Sequence, residues 1–318
     1  MTPGRDAIVA TAAESISRGS KSFAAASRLF GRATREHAWL LYAWCRACDD
    51  LADGQDHGQG CAKVADPDAR LAAIRMRTEA ALAEQWVGDP AFDALRIVAA
   101  ETAIPHELIW DVVDGFALDA AGWRPATEAD LLRYCYHVAG AVGCMMAVVM
   151  GVAPDDEALL DRACDLGLAF QLANIARDIG EDAAAGRCYL PGEWLAEAGI
   201  AQADVMADRV VLAGLARRLT ALASAYETRA RLGTPALSFR SAWAVLAAAG
   251  IYGDIARRVE ASGAEAWDRR VTVSGTEKLR WIVRAFGQAW SRRSRYRDTK
   301  VIPHIWERPR LPGRESSR

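Results

Sequence analysis

The sequence has no recognisable strands. None of its 318 residues fall in a stretch of sustained apolar–polar alternation bounded by turn residues, whereas Ala, Leu and Arg dominate nearly everywhere. An all-α fold is the expectation. A disulfide framework is also missing. The seven cysteines (positions 45, 48, 61, 135, 144, 164 and 188) are odd in number and scattered through apolar segments, as in reduced, buried thiols of a cytosolic protein. Charge of one sign is lacking too. The formal net charge of −2 gives no general reason to expect a nucleic-acid partner. The longest apolar run, Val138 to Val152, is shorter than the ~18–20 residues of a membrane-spanning helix. The N-terminus reaches Glu14 after only a brief apolar run, so no signal peptide is expected. No glycine-rich nucleotide fingerprint follows a strand, so no NADPH site is expected. Without repeats or low-complexity linkers, the chain reads as one helical domain over 1–290 and a tail over 291–318.

What is present is periodic. A helix is expected from about Thr34 to Asp53, with Trp39, Leu40, Ala43, Trp44 and Ala47 on its apolar face. Its other stripe is polar: Tyr42, Arg46, Asp49 and Asp53, spaced four, three and four. The segment Gln171-Leu-Ala-Asn174-Ile-Ala-Arg177-Asp178-Ile-Gly-Glu181-Asp182 repeats the theme. Gln171, Asn174, Asp178 and Asp182 share one face, next to the largely apolar run Cys164 to Leu172. Further helices are expected over Leu71–Gln85, between Pro90 and Pro105, and over His106–Ala121 and Leu131–Gly151. Three more should follow over Val205–Leu232, Leu237–Ala261 and Glu277–Arg293. Asp111, Asp114 and Asp119 lack the four-residue repeat and read as a solvated face. His137 has no second His or Cys at ligand spacing and reads as a hydrogen-bonded histidine of the core or rim. Gly140 and Gly143, inside the most apolar helix, imply close helix contact or space for a ligand. The tail, rich in Arg from Ser291 onward, reads as irregular and solvated, with attraction to an anionic membrane surface as the functional alternative.

Two facing acidic stripes need a counter-charge. Carboxylates ~6 Å apart at an effective dielectric of ~20 repel by roughly 3 kcal/mol per pair. Oxygen-only ligands favour Mg²⁺, or Mn²⁺, over Zn²⁺, and Mg²⁺ shares its shell with substrate phosphate oxygens. Arg46, Arg177 and Arg187 beside the stripes suit such an anion. An apolar remainder of the pocket turns a phosphate ester into a prenyl diphosphate. Competing readings fail on detail. Asp49 to Gly60 lacks calcium-loop ligands at Leu51 and Gly60. Cys45-x-x-Cys48 lies within a helix and has no partner pair. A non-catalytic helical scaffold would not place two polar stripes in apolar helices.

These residues resemble the squalene/phytoene synthase family. Asp49-Asp50-Leu-Ala-Asp53 and Asn174-x-x-Arg177-Asp178-x-x-Glu181-Asp182 look like its two aspartate-rich motifs. Ser20-Lys21-Ser22-Phe23, Tyr42-Ala-Trp-Cys-Arg46, Tyr134-Cys-Tyr136-His-Val-Ala-Gly140, Gln171 and Arg187-Cys-Tyr189-Leu-Pro191 extend the likeness over most of the chain, closest to the bacterial carotenoid branch. The resemblance implies an isoprenoid synthase fold of helices around one central cavity. It implies Mg²⁺ on Asp49, Asp53, Asn174, Asp178 and Asp182, and diphosphate oxygens on Ser20, Lys21, Ser22, Tyr42, Arg46, Gln171, Arg177, Arg187 and Tyr252. It also implies a prenyl cavity lined by Phe23, Tyr136, Ala139, Gly140, Val142 and Met146. The activity implied is head-to-head condensation of two geranylgeranyl diphosphates through a cyclopropyl diphosphate to phytoene, with farnesyl diphosphate as the alternative donor and no reductive step. Glu181, off the Asn174–Asp178–Asp182 line, is expected to support the ligands from outside.

Overall fold

The computed structural model describes residues 3–53, 66–297 and 306–311. Among them every regular element is helical. The first third comprises α1 (Arg5–Gly19), α2 (Lys21–Ser27), α3 (Arg32–Asp53), α4 (Pro67–Leu82), α5 (Pro90–Glu101) and α6 (His106–Ala120). Prolines set two of the starts: Pro67 and Pro90 occupy first helical turns, where a missing N–H costs nothing, behind capping carboxylates of Asp66 and Asp89. The α3 periodicity holds. Leu40, Leu41 and Trp44 are essentially inaccessible, and burying each leucine stabilises the fold by about 1.5–3 kcal/mol.

The segment expected as one helix over Leu131–Gly151 is interrupted. α7 (Glu128–Cys135) passes through a π-helical turn at Tyr136–Gly140 into α8 (Ala141–Val149). The glycines explain the packing. A β-carbon on Gly143 would overlap the Ala163 carbonyl, one on Gly167 the Ala139 carbonyl, and one on Gly140 would press on Cys164 Sγ at 2.9 Å. Gly140 and Gly143 therefore serve close helix contact. The stretch Glu128–Val149 is long and apolar enough to cross a membrane, but 61% of that window is buried inside the molecule.

The central helix is α9 (Glu157–Ala184), which packs against the α7–α8 unit, α11 and α12. It is followed by α10 (Gly192–Ala198), α11 (Arg209–Arg231), α12 (Phe239–Ser262), α13 (Gly275–Trp290) and the short α14 (Arg292–Arg295). One large apolar core joins α1 and α3 through α12.

Two expectations are corrected. Asp111 and Asp119 are not a solvated face. Asp111 accepts a 2.5 Å hydrogen bond from the Tyr136 phenol, and Asp119 accepts from Tyr134 (3.0 Å) and Tyr189 (3.1 Å). Their partners come from distant segments, so no local periodicity marks them. Asp114 is exposed and, among the described residues, pairs with Arg75. The tail is likewise not wholly solvated. Arg308 is inserted against α9, its side chain 1% exposed, bonded to Glu157 and, at 2.8 Å, to Asp161. Arg310 reaches Asp161 at 2.7 Å, and the Trp306 ring packs on Tyr136. Carboxylates at the start of a helix, where the dipole favours them, hold these arginines down. His137 is satisfied as expected, by the Asp111 carbonyl at 2.8 Å.

Candidate active site

A cavity of about 410 Å³ lies between α2, α3, the α7–α8 unit, α9 and α12. Its mouth is polar: Ser20, Tyr42 and Asp49 face Gln171, Asn174 and Tyr252. Below it the walls turn apolar, with Phe23, Phe30, Ala139, Val142 and Met146 among the lining. Along α9 the lining runs from Asn174 down to Leu159, about 22 Å of helix axis at 1.5 Å per residue. Both polar stripes thus begin at one cavity and continue outward from it.

The described carboxylates of both stripes are matched by arginines. Arg46 contacts Asp49 at 2.6 Å and Asp50 at 2.7 Å, one helical turn on. Burial acts to lower the Arg46 guanidinium, but Asp49 and Asp50 outweigh it and hold it above its ordinary value. Arg177 grips the neighbouring Asp178 with two bonds, at 2.7 and 2.5 Å, and is likewise held high by that carboxylate against the opposing effect of burial. Arg187 lies 3.5 Å from Asp182. A fourth arginine, Arg270, joins Asp178 at 3.1 Å and also binds Glu181. Glu181 is exposed, outside the Asn174–Asp178–Asp182 line, and its described partner is this arginine.

The neutral groups are held ready as donors. Burial pushes the Tyr42 phenol up to about 12, so it keeps its proton throughout the physiological range. A side chain at Gly19 would occupy the space of the Tyr42 hydroxyl, so the glycine admits the phenol. Ser20 caps α2, accepting from the Phe23 N–H at 3.3 Å. Burial likewise pushes the Cys45 thiol up to about 12 and Cys48 well above its ordinary value, so the Cys-x-x-Cys pair is inert.

Not every residue expected at the site reaches the cavity. Lys21 is exposed and Ser22 half-buried beside the mouth, neither forming part of the lining. Tyr136 is fully buried behind the wall, where its hydroxyl donates to Asp111 and His137 and Trp306 enclose its ring. Gly140 is buried against Cys164, also off the lining. Asp178 and Asp182 stand one and two turns beyond Asn174 along α9. The side chain of Asp53 lies outside the described residues. Among those described, no three His, Cys, Asp or Glu side chains converge as a metal site. Two contributions had escaped notice in the sequence. Phe170 stacks on Tyr252 at 4.1 Å in the lining, and Arg270 comes from an irregular stretch far along the chain, with no local signal.

Comparison with known proteins covers nearly the whole chain. The family model "Squalene/phytoene synthase" matches residues 16–277. A phytoene synthase of Pseudescherichia vulneris is 47% identical over 305 residues, 94% of this chain and 97% of that protein. A 15-cis-phytoene synthase of Pantoea ananas is 45% identical, again over 94% and 97% of the two chains. Among solved structures, a dehydrosqualene synthase in complex with ligand superposes with a TM-score of 0.80 at 27% identity, covering 90% of this chain and 98% of that one.

Proposed function

Because the chain belongs to the squalene/phytoene synthase family, we propose that it condenses two geranylgeranyl diphosphates head to head to give phytoene. Membership of the family carries prenyl-transfer chemistry, and the family's all-α isoprenoid synthase fold is that of this molecule. The observation that carries the finer reading is the cavity, with an arginine-backed polar mouth and an apolar shaft running along α9. A diphosphate head and a long isoprenoid tail suit these two parts.

In this reading the donor ionises at the mouth, its C1–O bond breaking with the electron pair on the departing diphosphate. C1 then bonds to the acceptor's C2–C3 double bond, and proton loss closes a cyclopropyl diphosphate. A second ionisation, rearrangement and proton loss give phytoene. Arg46 and Arg177 hold the diphosphate, and Ser20, Lys21, Ser22, Tyr42, Gln171, Arg187 and Tyr252 donate to its oxygens. Arg270, already on Asp178, joins them. Phe23 against Tyr42 (ring centroids 5.7 Å apart) and Phe170 against Tyr252 present π-faces to the allylic cation from two sides of the shaft. Ala139, Val142 and Met146 exclude water from it.

The donor set around the mouth is all oxygen, which fits Mg²⁺. Asp49, Asp53, Asn174, Asp178 and Asp182 would hold the ions, with the arginines now on Asp49 and Asp178 turning to the phosphate. When bound, Mg²⁺ supplies the positive charge that stabilises departing diphosphate.

The length of the shaft and the two bacterial phytoene synthases above favour geranylgeranyl over farnesyl diphosphate. Purified protein with Mg²⁺, offered each donor separately without nicotinamide, should form phytoene from geranylgeranyl diphosphate. A hydrocarbon formed only from farnesyl diphosphate would transfer the protein to the shorter-chain branch.

A further inference from the structure

Seven large hydrophobic side chains are exposed among the described residues, and four of them stand on one helix. Leu279 (60% exposed), Val283 (65%), Phe286 (44%) and Trp290 (77%) recur every three to four residues along α13 and form a single stripe. The other three, Met76, Trp86 and Val210, are scattered singly over different elements. Phe286 and Trp290 widen the stripe into an aromatic cluster with Phe239, whose ring lies 5.4 and 6.3 Å from theirs. The adjacent side of α13 is seated on α12 through the buried Ala285 and Ala289. The helix is preformed. Ser274 and Glu277 close a capping box at its start.

The charge beside this stripe is of one sign. From Gly275 to Arg297 the chain carries seven Lys and Arg side chains and one carboxylate, Glu277, which Ser274 and Arg258 occupy. Arg280, Arg284, Arg293, Arg295 and Arg297 are exposed. α13 is one helix removed from the active site. Its partner α12 supplies Ala244, Val245, Ala248 and Tyr252 to the cavity wall. Burial and then the nearby charge of Lys21 hold the Lys278 ammonium below its ordinary value.

We propose that α13 is an in-plane docking surface for an anionic lipid bilayer. Leu279, Val283, Phe286 and Trp290 enter the acyl boundary, and the arginines meet the headgroups. A second copy of the chain fits this face less well, since an isologous pairing of two such helices brings arginine-rich flanks together. Docking here sets the cavity wall beside the bilayer, the phase in which long prenyl chains reside. It does not depend on which prenyl donor is used.

The full-length protein is sedimented with vesicles of phosphatidylcholine alone and of phosphatidylcholine with phosphatidylglycerol. Wild type should partition to the anionic vesicles. Phe286→Ser/Trp290→Ser should lower the partition coefficient at least about tenfold. Arg280→Gln/Arg284→Gln should lower it severalfold on anionic vesicles alone. Turnover of detergent-dispersed substrate should be unchanged in both variants, which shows that they are folded. Wild type that stays in the supernatant, or an aromatic variant that sediments as well as wild type, overturns the proposal. A concentration-dependent dimer that the aromatic variant dissolves, with no vesicle binding, overturns it in favour of a second copy.

Discussion

The two ends of α9 carry the same chemistry in opposite settings. At its start Glu157, Asp161 and Asp165 recur every four residues, and at its end Asn174, Asp178 and Asp182 do the same. Arginines meet both sets. At the start two of those arginines are sealed in, Arg229 on Asp165 at 0% exposed and Arg308 on Asp161 at 1%, while Arg310 reaches Asp161 from the surface. At the end, Arg177 on Asp178 is 15% exposed, but Arg270 on the same carboxylate is 45% exposed and Arg187 on Asp182 is 36% exposed. A sealed pair is permanent, because separating it strands a charge in low dielectric. An open pair contributes little to stability and is free to exchange its partner for an incoming ion. Spacing of carboxylates on a helix therefore does not by itself define a ligand site. What surrounds them decides whether their arginines are structure or machinery.

The largest effect that tests this contrast falls on turnover. Asp178→Asn, and separately Asp49→Asn, should lower turnover at least about a hundredfold while leaving the helical circular dichroism intact. Diphosphate release assays check it, and near-wild-type rates in either variant would remove that residue from the chemistry. Next comes stability at the sealed end. Arg229→Met should destabilise the fold by about 1.5–3 kcal/mol in urea unfolding, since it takes one of two arginines from the buried Asp165 and leaves Arg162. The matching change at the open end, Arg270→Gln, should cost under about 1 kcal/mol yet raise KM for the prenyl diphosphate. Equal losses of stability in the two variants would erase the distinction.

Less of the two ends was legible in the sequence than their common spacing suggests. The second aspartate-rich stretch stood out because its polar stripe follows an apolar run. Asp165 sits inside that run and attracted no notice, although its partner Arg229 is 64 residues away in α11. Such pairing depends on which helices meet, not on local pattern. The α3 stripe was readable for the same reason that α3 itself was: one face of each turn is apolar and the other is not. The π-helical turn at Tyr136–Gly140 was not, since it answers to the close approach of α9. That turn sits beside Tyr136, whose phenol meets Asp111 on α6 and not the cavity. Asp111 and Asp119 read as solvent-facing because their phenolic partners arrive from other segments.

Smaller effects sharpen the same contrast. Chelation of divalent ions should stop diphosphate release but leave the thermal unfolding midpoint in place, because arginines already balance the carboxylates. A large fall in the midpoint would mean that the metal belongs to the fold. Tyr42→Phe should slow turnover about tenfold or less, the scale of one neutral hydrogen-bond donor. In wild type the phenol, held near 12 by burial, remains a donor below that pH and is lost only above it. The pH–rate profile between 6 and 10 should therefore keep its shape in the variant, and a changed alkaline limb there would show that Tyr42 titrates in that range.

The most direct measurement is the stoichiometry of diphosphate release by wild-type protein given geranylgeranyl diphosphate and Mg²⁺ without nicotinamide. Two diphosphates per molecule of phytoene is the result that head-to-head condensation at the open end of α9 requires. No diphosphate released under those conditions would contradict it.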